Sequence, residues 1–393
     1  MTPSARLQAA IDLLDATAAA ACEGGAAADT LIARYFRDRR YAGSKDRRAV
    51  RELVYAAIRL CAERPESGRA AMLALARERS GILELFDGST HGPAPVEPGE
   101  PVARTGLVPG WLLPHLAEPL RDEGEQRALL ERAPLDLRIN RLKPANDVRA
   151  AFPDAQPVPG TADALRVAEG TPVEQSDVYR SGLIEIQDAG SQAIVMACAA
   201  KPGMTVVDLC AGAGGKTLGL AAAMMGKGRL LAADVNRERL SRLPERASRA
   251  GADNVEPLLL DARREAQALA PFAASADVVL VDAPCSGSGT WRRNPEARWR
   301  LTEARLARLV LEQARILDFA AALVKPGGRL VYAVCALTGV EGQDQVRGFL
   351  NGRSGWGAAD PGISLGRKYG EGLLLTPAHD GTDGFFIAAL QKS

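Results

Sequence analysis

Apolar residues recur at helical spacing through the first part of the chain. In "AADTLIARYFRDRR" and "SKDRRAVRELVYAAIRLCAE" they stand three or four positions apart, with charged residues between them. This spacing is typical of amphipathic helices, and Ser44 occupies a position where a helix N-cap is expected. Between residues 87 and 110, five prolines and several glycines interrupt the pattern. We therefore predict a helical domain over residues 1–86 and a linker or long surface loop over residues 87–110.

The middle of the chain changes to shorter alternating stretches. "LDLRINRLK" and "DALRVAEG" favour strands, and "NDVRAAF" between them favours one or two helical turns. Together they predict helices plus a small α/β module over residues 111–180.

From about Ile184 onward, apolar runs of strand length alternate with helical segments. The runs are "MTVVDLC", "RLLAADV", "VEPLLLDA", "ADVVLVDA" and "GRLVYAVC", followed by "GLLLTPA" and "GFFIAAL". Strands that alternate with helices are typical of a parallel sheet covered on both faces. The last two runs are expected to pair as a hairpin. This pattern predicts an α/β domain over residues 181–393.

Charge is unevenly distributed, although the net charge of the 393 residues is only +1. The segment Arg34–Arg59 contains nine basic residues against three acids, and Trp291–Arg315 contains seven against three. Such segments suit an anionic partner, although a solvated helical face explains either one equally well.

Six scattered cysteines form no C-x-x-C pair and have no histidine nearby. We therefore expect free thiols in a reducing compartment, with no disulfide framework and no metal site. No run approaches the length of a membrane helix, and the N-terminus lacks the apolar segment of a signal peptide. These observations predict a cytoplasmic protein without membrane contact.

The segment "VVDLCAGAGGKT" contains a glycine-rich turn between a predicted strand and a predicted helix. The strand ends at Asp208, and the chain turns through Gly212, Gly214 and Gly215. Such a turn brings backbone N–H groups and a helix N-terminus close to a ligand, although an ordinary tight turn has the same composition. It does not match a phosphate-binding P-loop, because Cys210 occupies the position of the first glycine.

Acidic residues close four consecutive predicted strands. They are Asp208, Asp234, Asp261 and Asp282. The carboxyl ends of parallel strands open on one crevice, so these acids are expected to lie near one another. A single one is explained as a helix cap. Four beside a glycine turn favour a nucleoside that carries positive charge, as S-adenosylmethionine does, and a nicotinamide dinucleotide is the alternative ligand.

Two cysteines directly follow the fourth and fifth predicted strands of this domain. They are Cys285 and Cys335. A cysteine at the end of a buried strand is most often an inert core residue. Two beside a cofactor crevice favour methylation at carbon 5 of a pyrimidine, because a thiolate must first add to carbon 6. An acid near nitrogen 3 of the base, such as Asp282, would stabilise the adduct.

Several segments resemble motifs of the RNA (cytosine-5) methyltransferases of the RsmB/NOP/NSUN type. They are "IQDAGSQA", "DLCAGAGGKT", "DVNRERL", "LDA", "DAPCSGSGTWRRNPEARW" and "YAVCALTGVEG", and the similarity spans most of residues 180–390. The resemblance implies a class I S-adenosylmethionine-dependent fold, with a Rossmann-like, mostly parallel seven-stranded sheet. It also implies that the cofactor is bound by Cys210, Ala211, Gly212, Ala213, Gly214, Gly215, Lys216, Asp234, Asp261 and Asp282.

The same resemblance assigns different roles to the two cysteines. Cys335 would be the nucleophile, and Cys285 would assist release of the methylated product. In DNA cytosine-5 enzymes the cysteine that follows the proline attacks instead, so Cys285 is the alternative nucleophile. The chain departs from the family pattern at Ala336, where serine is usual, and at Gly342, where asparagine is usual.

The N-terminal "RYFRDRRYAGSKDRRAVRELVYAAIR" is similar to the NusB-like helical domain of bacterial RsmB proteins. This similarity implies an RNA partner, with 16S ribosomal RNA expected first and transfer RNA second. We expect no DNA partner and a monomer. The alternative function is a non-catalytic RNA-binding assembly factor that keeps S-adenosylmethionine as a structural ligand.

The segment after Cys285 allows two interpretations. Trp291 and Trp299 alternate with arginines, so the segment would hold phosphates and stack on splayed bases. Alternatively, the tryptophans are core anchors and the arginines are solvated. The arginines are Arg292, Arg293, Arg298 and Arg300.

Overall fold

The computed structural model describes residues 1–144, 148–262 and 264–393. Within these ranges the α-helices are α1 (Pro3–Glu23), α2 (Ala28–Arg37), α3 (Ser44–Leu60), α4 (Gly68–Glu78), α5 (Glu123–Ala128), α6 (Val148–Ala151), α7 (Asp177–Arg180), α8 (Ala189–Ala197), α9 (Gly215–Ala223), α10 (Arg237–Leu240), α11 (Leu243–Ala250), α12 (Glu265–Leu269), α13 (Ala297–Arg300), α14 (Glu303–Leu323), α15 (Gln343–Asn351) and α16 (Pro377–Asp380).

The strands in the same ranges are β1 (Leu135–Ile139), β2 (Gln156–Pro157), β3 (Ala164–Val167), β4 (Ile184–Ile186), β5 (Thr205–Asp208), β6 (Arg229–Asp234), β7 (Val255–Leu259), β8 (Ala276–Asp282), β9 (Val324–Val334), β10 (Trp356–Ala359), β11 (Arg367–Tyr369), β12 (Gly372–Leu375) and β13 (Phe385–Lys392). Short 3₁₀-helices lie at Leu83–Leu85, Gly110–His115, Glu118–Arg121, Val173–Gln175, Ala270–Phe272 and Ser288–Thr290.

The chain forms two compact units, which are not two continuous halves. The first contains residues 1–131 and 290–303, and the second contains residues 132–289 and 304–393. The predicted module of residues 111–180 is therefore divided between the units. Residues 290–303, expected in the α/β domain, belong to the first unit.

The first unit is helical, as its apolar spacing predicts. Helix α1 packs against α2, α3 and α4 around buried aliphatic side chains such as Leu7, Leu14 and Val54. The prediction that Ser44 caps α3 is wrong by one residue. Gly43 occupies the N-cap position of α3. Its backbone N–H, one of the donors that the start of a helix leaves without a backbone acceptor, donates to the carboxylate of Asp46 in the first turn at 3.1 Å.

Residues 87–109 contain no helix or strand, in agreement with their prolines. They are nonetheless attached to the helices. The Arg69 guanidinium pairs with Glu100 at 2.8 Å and donates to the carbonyl oxygens of Ala94 and Pro95. The Ala103 N–H donates to the Ala70 carbonyl at 3.1 Å. This stretch is therefore an ordered surface loop of the first unit.

The second unit contains a large mixed sheet in the order β7-β6-β5-β8-β9-β13-β12-β11. Strands β5 to β9 are parallel, whereas β13 runs antiparallel between β9 and β12 and also pairs with β10. All seven predicted strands and the final hairpin are confirmed. The described residues add two short strands, β10 and β11, so this sheet has nine strands rather than seven. Neither added strand has the length or apolar pattern that reveals a strand in sequence.

A smaller antiparallel sheet, in the order β2-β3-β1-β4, belongs to the same unit. Its strands β1 and β3 lie where "LDLRINRLK" and "DALRVAEG" predict them. The helical turn predicted from "NDVRAAF" is described from Val148 as α6, while Asn146 and Asp147 lie outside the described residues. No helix among the described residues combines the length and apolar character needed to cross a membrane.

Candidate active site at the carboxyl edge of the parallel sheet

The glycine turn connects β5 to α9 and requires glycine at one position in particular. Gly214 has φ +88°, and a Cβ placed on it would lie 2.2 Å from the Leu243 side chain. Only glycine avoids both the backbone strain and the clash. A Cβ on Gly212 or Gly215 would meet nothing within 4 Å, so the backbone of the turn borders open space. A ligand can approach the turn from this side.

Asp234, the last residue of β6, holds the turn. Its carboxylate accepts from the Gly212 N–H at 2.7 Å and from the Asn236 N–H at 2.6 Å. These two bonds occupy one lone pair on each oxygen, and each oxygen keeps a second acceptor position. The residue therefore fixes the turn and can still accept further donors.

An arginine that lies outside all the quoted motifs also holds the glycine turn in place, at Ala213. Arg246 of α11 donates to the Ala213 carbonyl at 2.6 Å and to the Glu185 carboxylate at 2.7 Å. Glu185, on β4, is buried and also pairs with Arg249. The small antiparallel sheet thus helps to position the turn. The sequence gives no signal for this contact, since Arg246 lies on an ordinary amphipathic helix.

Lys216 and Asp282 form an ion pair across the carboxyl ends of β5 and β8. The Lys216 Nζ donates to Asp282 Oδ2 at 2.6 Å. Burial by itself would lower the pKa of the lysine, but the charge and hydrogen bond of Asp282 outweigh burial, and the pKa of Lys216 is raised. The lysine was expected among the cofactor residues; the structure directs its ammonium group to Asp282.

Asp208 lies at the end of β5 and is almost completely buried. Its Oδ2 accepts from the Thr217 hydroxyl at 2.7 Å, while its Oδ1 has no hydrogen-bond partner among the described residues. Burial raises the pKa of this carboxyl to about 7, against the effect of the Thr217 hydrogen bond.

The two cysteines that follow β8 and β9 are brought together. The sulfur atoms of Cys285 and Cys335 lie 3.3 Å apart. The contact with Cys335 raises the pKa of the Cys285 thiol well above its usual range, and burial and the negative charge of Glu341 raise it further. Cys335 also lies close enough to the Lys216 ammonium to contribute to the raised pKa of the lysine. The raised pKa keeps Cys285 a neutral thiol at neutral pH.

Asp261 is the predicted site residue that the structure leaves most exposed. It follows β7 by two residues, and its carboxylate lies 4.0 Å from the guanidinium of Arg264. Both side chains are largely exposed to solvent. Its part in cofactor binding stays a prediction.

Comparisons with known proteins identify the family of the chain. The family model described as 16S rRNA methyltransferase RsmB/F matches residues 195–391. The chain belongs to this family. It is 33% identical over 294 residues to the ribosomal RNA small subunit methyltransferase B of Salmonella typhi, covering 73% of this chain and 66% of that protein. It therefore spans about two thirds of the length of that curated relative.

Solved structures extend the comparison to the fold of this RsmB/F chain. The crystal structure of PH0851 superposes with a TM-score of 0.77 at 24% identity and covers 100% of both chains. The structure of a methyltransferase homolog protein from Pyrococcus horikoshii superposes with a TM-score of 0.60 at 28% identity, covering 69% of this chain and 90% of that one.

In this RsmB/F member most of the tryptophan-bearing segment is buried, including Arg292, whereas Arg293 and Arg300 are partly exposed. Trp291, Trp299 and Arg298 are buried, so the prediction that they hold phosphates or stack on bases is wrong. The alternative is confirmed for the tryptophans, which are core anchors. It is wrong for Arg298, whose guanidinium donates to the carbonyl oxygens of residues of the first unit. These are Ile58, Arg59, Leu107 and Pro295.

One departure of this chain from the family pattern has a structural reason. A Cβ on Gly342 would lie 2.9 Å from the ring of Phe386 on β13. An asparagine at this position therefore requires the ring to move. Ala336, the other departure, is fully buried. Among the described residues, no group of three or more His, Cys, Asp or Glu is arranged to hold a metal ion.

Proposed function

We propose that this chain transfers a methyl group from S-adenosylmethionine to carbon 5 of a cytosine in RNA. The observation that carries the proposal is the pair of thiols, 3.3 Å apart, beside the Lys216–Asp282 ion pair. Methylation of a pyrimidine at carbon 5 needs a nucleophile at carbon 6 and a proton donor at nitrogen 3. Both kinds of group stand at the same edge of the sheet.

The glycine turn and Asp234 fit the cofactor. Backbone at Gly212 and Gly215 borders open space, and the Asp234 oxygens keep acceptor positions for the two ribose hydroxyls. The carboxylates of Asp234 and Asp282 suit a ligand with cationic sulfonium and ammonium groups. When bound, S-adenosylmethionine would supply the methyl group. Relatives in the RsmB/F family are methyltransferases by name, which agrees with this assignment.

We assign the attack to Cys335. The Cys335 thiolate would form a sulfur–carbon bond at carbon 6 of the cytosine, while Cys285, whose pKa is raised well above its usual range, stays a neutral thiol. The electron pair of the ring double bond would move toward nitrogen 3, which takes up a proton held by the Lys216–Asp282 pair. Carbon 5 then has the electron density of an enamine and can accept the methyl group.

We assign product release to Cys285. After methylation, the Cys285 thiol would donate its proton to the departing Cys335 sulfur and, as a thiolate, take up the proton that carbon 5 loses. The electron pair left at carbon 5 re-forms the ring double bond as the bond between sulfur and carbon 6 breaks, and nitrogen 3 returns its proton to the Lys216–Asp282 pair. Cys285 is 3.3 Å from the Cys335 sulfur and, as a neutral thiol, does not compete for carbon 6. The reversed roles found in DNA cytosine-5 enzymes are the alternative.

The proposed RNA is the 16S ribosomal RNA, with transfer RNA second. The family model and the Salmonella relative carry small-subunit ribosomal RNA in their names. A basic stretch, residues 34–48, supports an RNA partner, because it presents exposed cationic side chains and an exposed tyrosine that can stack on a base. These residues are Arg34, Arg37, Arg40, Lys45, Arg48 and Tyr41. Such a function would place the protein in the cytoplasm.

Substituting each cysteine separately tests this function. With 16S ribosomal RNA and radiolabelled S-adenosylmethionine, Cys335→Ala should abolish both methylation and any covalent protein–RNA complex. Cys285→Ala should instead accumulate a complex that survives denaturing electrophoresis, with turnover stopping after about one round. Cys22→Ala, at an exposed cysteine of α1, is the control and should behave as the wild type.

Three outcomes contradict the assignment in different ways. A stable complex with Cys335→Ala and none with Cys285→Ala would transfer the nucleophile to Cys285. Full activity in both variants would make the cysteines core residues. No methylation of ribosomal or transfer RNA by the wild type would favour the non-catalytic assembly factor.

A further inference from the structure

Glu341 is a buried carboxylate that contacts both cysteine-bearing loops. It is fully buried, six residues after Cys335. One carboxylate oxygen, Oε1, accepts from the Ser286 N–H at 2.7 Å, and the other, Oε2, accepts from the Thr338 hydroxyl at 2.8 Å. Ser286 directly follows Cys285, whereas Thr338 lies in the loop that begins at Cys335. Glu341 itself stands in the loop after β9, so its side chain braces that loop and joins it to the loop after β8.

A second buried side chain completes this contact. Gln313 of α14 donates to Glu341 Oε1 at 3.0 Å and to the carbonyl oxygen of Pro284 at 3.0 Å. Pro284 immediately precedes Cys285. The backbone of Glu341 is held as well, since its carbonyl accepts from the Tyr332 hydroxyl at 2.7 Å. Helix α14 thus holds the carboxylate of Glu341, and β9 holds its backbone, so the side chain has little freedom to move.

We propose that Glu341 is a positioning residue, whose carboxylate sets the separation of the Cys285 and Cys335 sulfur atoms by bonding to both of their loops. Its importance for catalysis rests on the proposed function, whereas its effect on the separation of the sulfur atoms does not. A buried carboxylate is unfavourable unless its hydrogen bonds are satisfied, and here three donors satisfy it. The loops are therefore held in the one arrangement in which all three donors reach the carboxylate.

Two substitutions separate the reach of the side chain from its charge. Glu341→Gln keeps the length and removes the charge. Its amide oxygen can accept from Ser286 and Gln313, and its NH₂ can donate to the Thr338 hydroxyl, which is able to accept. Glu341→Asp keeps the charge but shortens the side chain by about 1.5 Å, one carbon–carbon bond. The aspartate cannot reach both loops without moving one of them.

The separation of the two thiols can be measured without RNA or cofactor. Dibromobimane becomes fluorescent when it bridges two neighbouring thiols, and mass spectrometry of the digested full chain identifies the bridged pair. The wild type and Glu341→Gln should both form the bridge between Cys285 and Cys335. Glu341→Asp should form it at least about tenfold more slowly, because displacement of a reacting group by about 1 Å can reduce a rate about 100-fold.

The matched control is Asp344→Asn, on the same segment. The Asp344 carboxylate forms an ion pair with Arg347, and its contact with the loop after β9 is a backbone hydrogen bond to Gly339 that the substitution keeps. This variant should bridge at the wild-type rate. Thr338→Val is a second test of the same contact, since it removes one donor to Glu341 and retains the size of the side chain. It should slow bridging less than Glu341→Asp does. Thermal melting shows whether each variant is folded.

Wild-type bridging in both Glu341→Asp and Thr338→Val would overturn the proposal. Slow bridging in Glu341→Gln with normal bridging in Glu341→Asp would also overturn it. The separation of the two sulfur atoms would then depend on the charge of the side chain and not on its length. In the methylation assay, Glu341→Asp should lower kcat and leave KM and cofactor affinity unchanged, and Glu341→Gln should restore kcat. If the wild type bridges as expected but methylates no RNA, the proposed function fails and the positioning role stands.

Discussion

At the scale of single residues, Asp208 combines deep burial with a hydrogen bond to only one of its oxygens. The charged form of a buried carboxyl is unfavourable, and nearby Asp282 and Asp234 increase this effect, while Thr217 and Lys216 oppose it. The net result is a pKa of about 7 in the folded protein, against 3.8 as the ordinary value. The folded state therefore binds a proton at Asp208 that the unfolded chain releases above about pH 4.

This difference predicts how stability depends on pH. A raised pKa in the folded state means that Asp208 stabilises the fold below its ordinary pKa, and that this contribution is lost as the pH rises toward 7. Asp208→Asn keeps an acceptor for the Thr217 hydroxyl and cannot ionise. Between pH 4 and 7 the free energy of unfolding of the wild type should fall relative to the variant, by about 1.4 kcal/mol per pH unit at most.

Urea denaturation at several pH values, without cofactor, measures this difference. Subtracting the two curves removes the contribution of every titrating group that does not interact with Asp208. A difference between wild type and variant that does not change with pH would contradict the assigned pKa.

The site residues differ in how well the sequence indicates them. Asp234, Asp282, Cys285 and Cys335 follow apolar runs, so the strand pattern alone places them at one edge of the sheet. Glu341 stands in an irregular loop, where an acid is expected to be solvated. Its burial arises from donors on α14 and on both cysteine loops, which no local pattern in the sequence could bring together.

At the scale of elements, residues 290–303 show a case in which the sequence pattern alone could not predict whether a segment is buried or exposed. Tryptophan and arginine occur both on RNA-binding surfaces and in polar cores, so their alternation does not distinguish the two. The structure does so, because Trp299 joins the aliphatic core of the first unit and donates from its Nε1–H to the Cys61 carbonyl at 3.0 Å. By contrast, the five parallel strands were predictable, since each contains an apolar run that a turn follows.

The guanidinium of Arg298 is expected to be essential for the stability of the first unit. Burial lowers its pKa to about 10, so it is still charged at neutral pH, and it donates to four backbone carbonyls. Arg298→Met leaves these buried acceptors without a donor, at about 1–3 kcal/mol for each that water cannot reach. Arg298→Lys should also be destabilising, because a lysine lacks the planar fork of donors.

Thermal and urea unfolding of these variants, compared with Arg308→Met at an exposed position of α14, check the prediction. The control should change the free energy of unfolding by less than about 0.5 kcal/mol. If Arg298→Met were as stable as this control, the buried hydrogen bonds would not be a main support of the unit.

At the scale of the whole molecule, each compact unit is built from two separate segments of the chain. Residues 290–303 depend on the N-terminal helices for their hydrogen bonds, since the partners of Arg298, Trp299 and Arg300 include carbonyl groups of Ile58, Cys61 and Ala26. Deleting residues 1–110 would expose these side chains and disturb the segment that continues from Cys285. Loss of RNA binding after such a deletion would therefore not show that the helices contact RNA.

Charge substitutions in the basic stretch test RNA binding without removing the helices. Arg37→Gln, Arg40→Gln and Arg48→Gln change exposed side chains for which no ion pair is seen among the described residues. The triple variant should bind RNA at least about tenfold more weakly at low salt. The slope of log affinity against log salt should fall by about two, because each phosphate contact to single-stranded RNA contributes about 0.7.

The control carries the same charge change in the same unit, at exposed Arg77, Arg79 and Arg104. Filter-binding titrations over a salt series should show an unchanged slope for this control, and calorimetry should show unchanged cofactor affinity for both triple variants. Equal losses in the two triple variants would mean that the helical unit attracts RNA only through its total charge. Unchanged affinity in both would mean that none of these six arginines contributes a phosphate contact, which would contradict the assignment of Arg37, Arg40 and Arg48 to the RNA-binding surface.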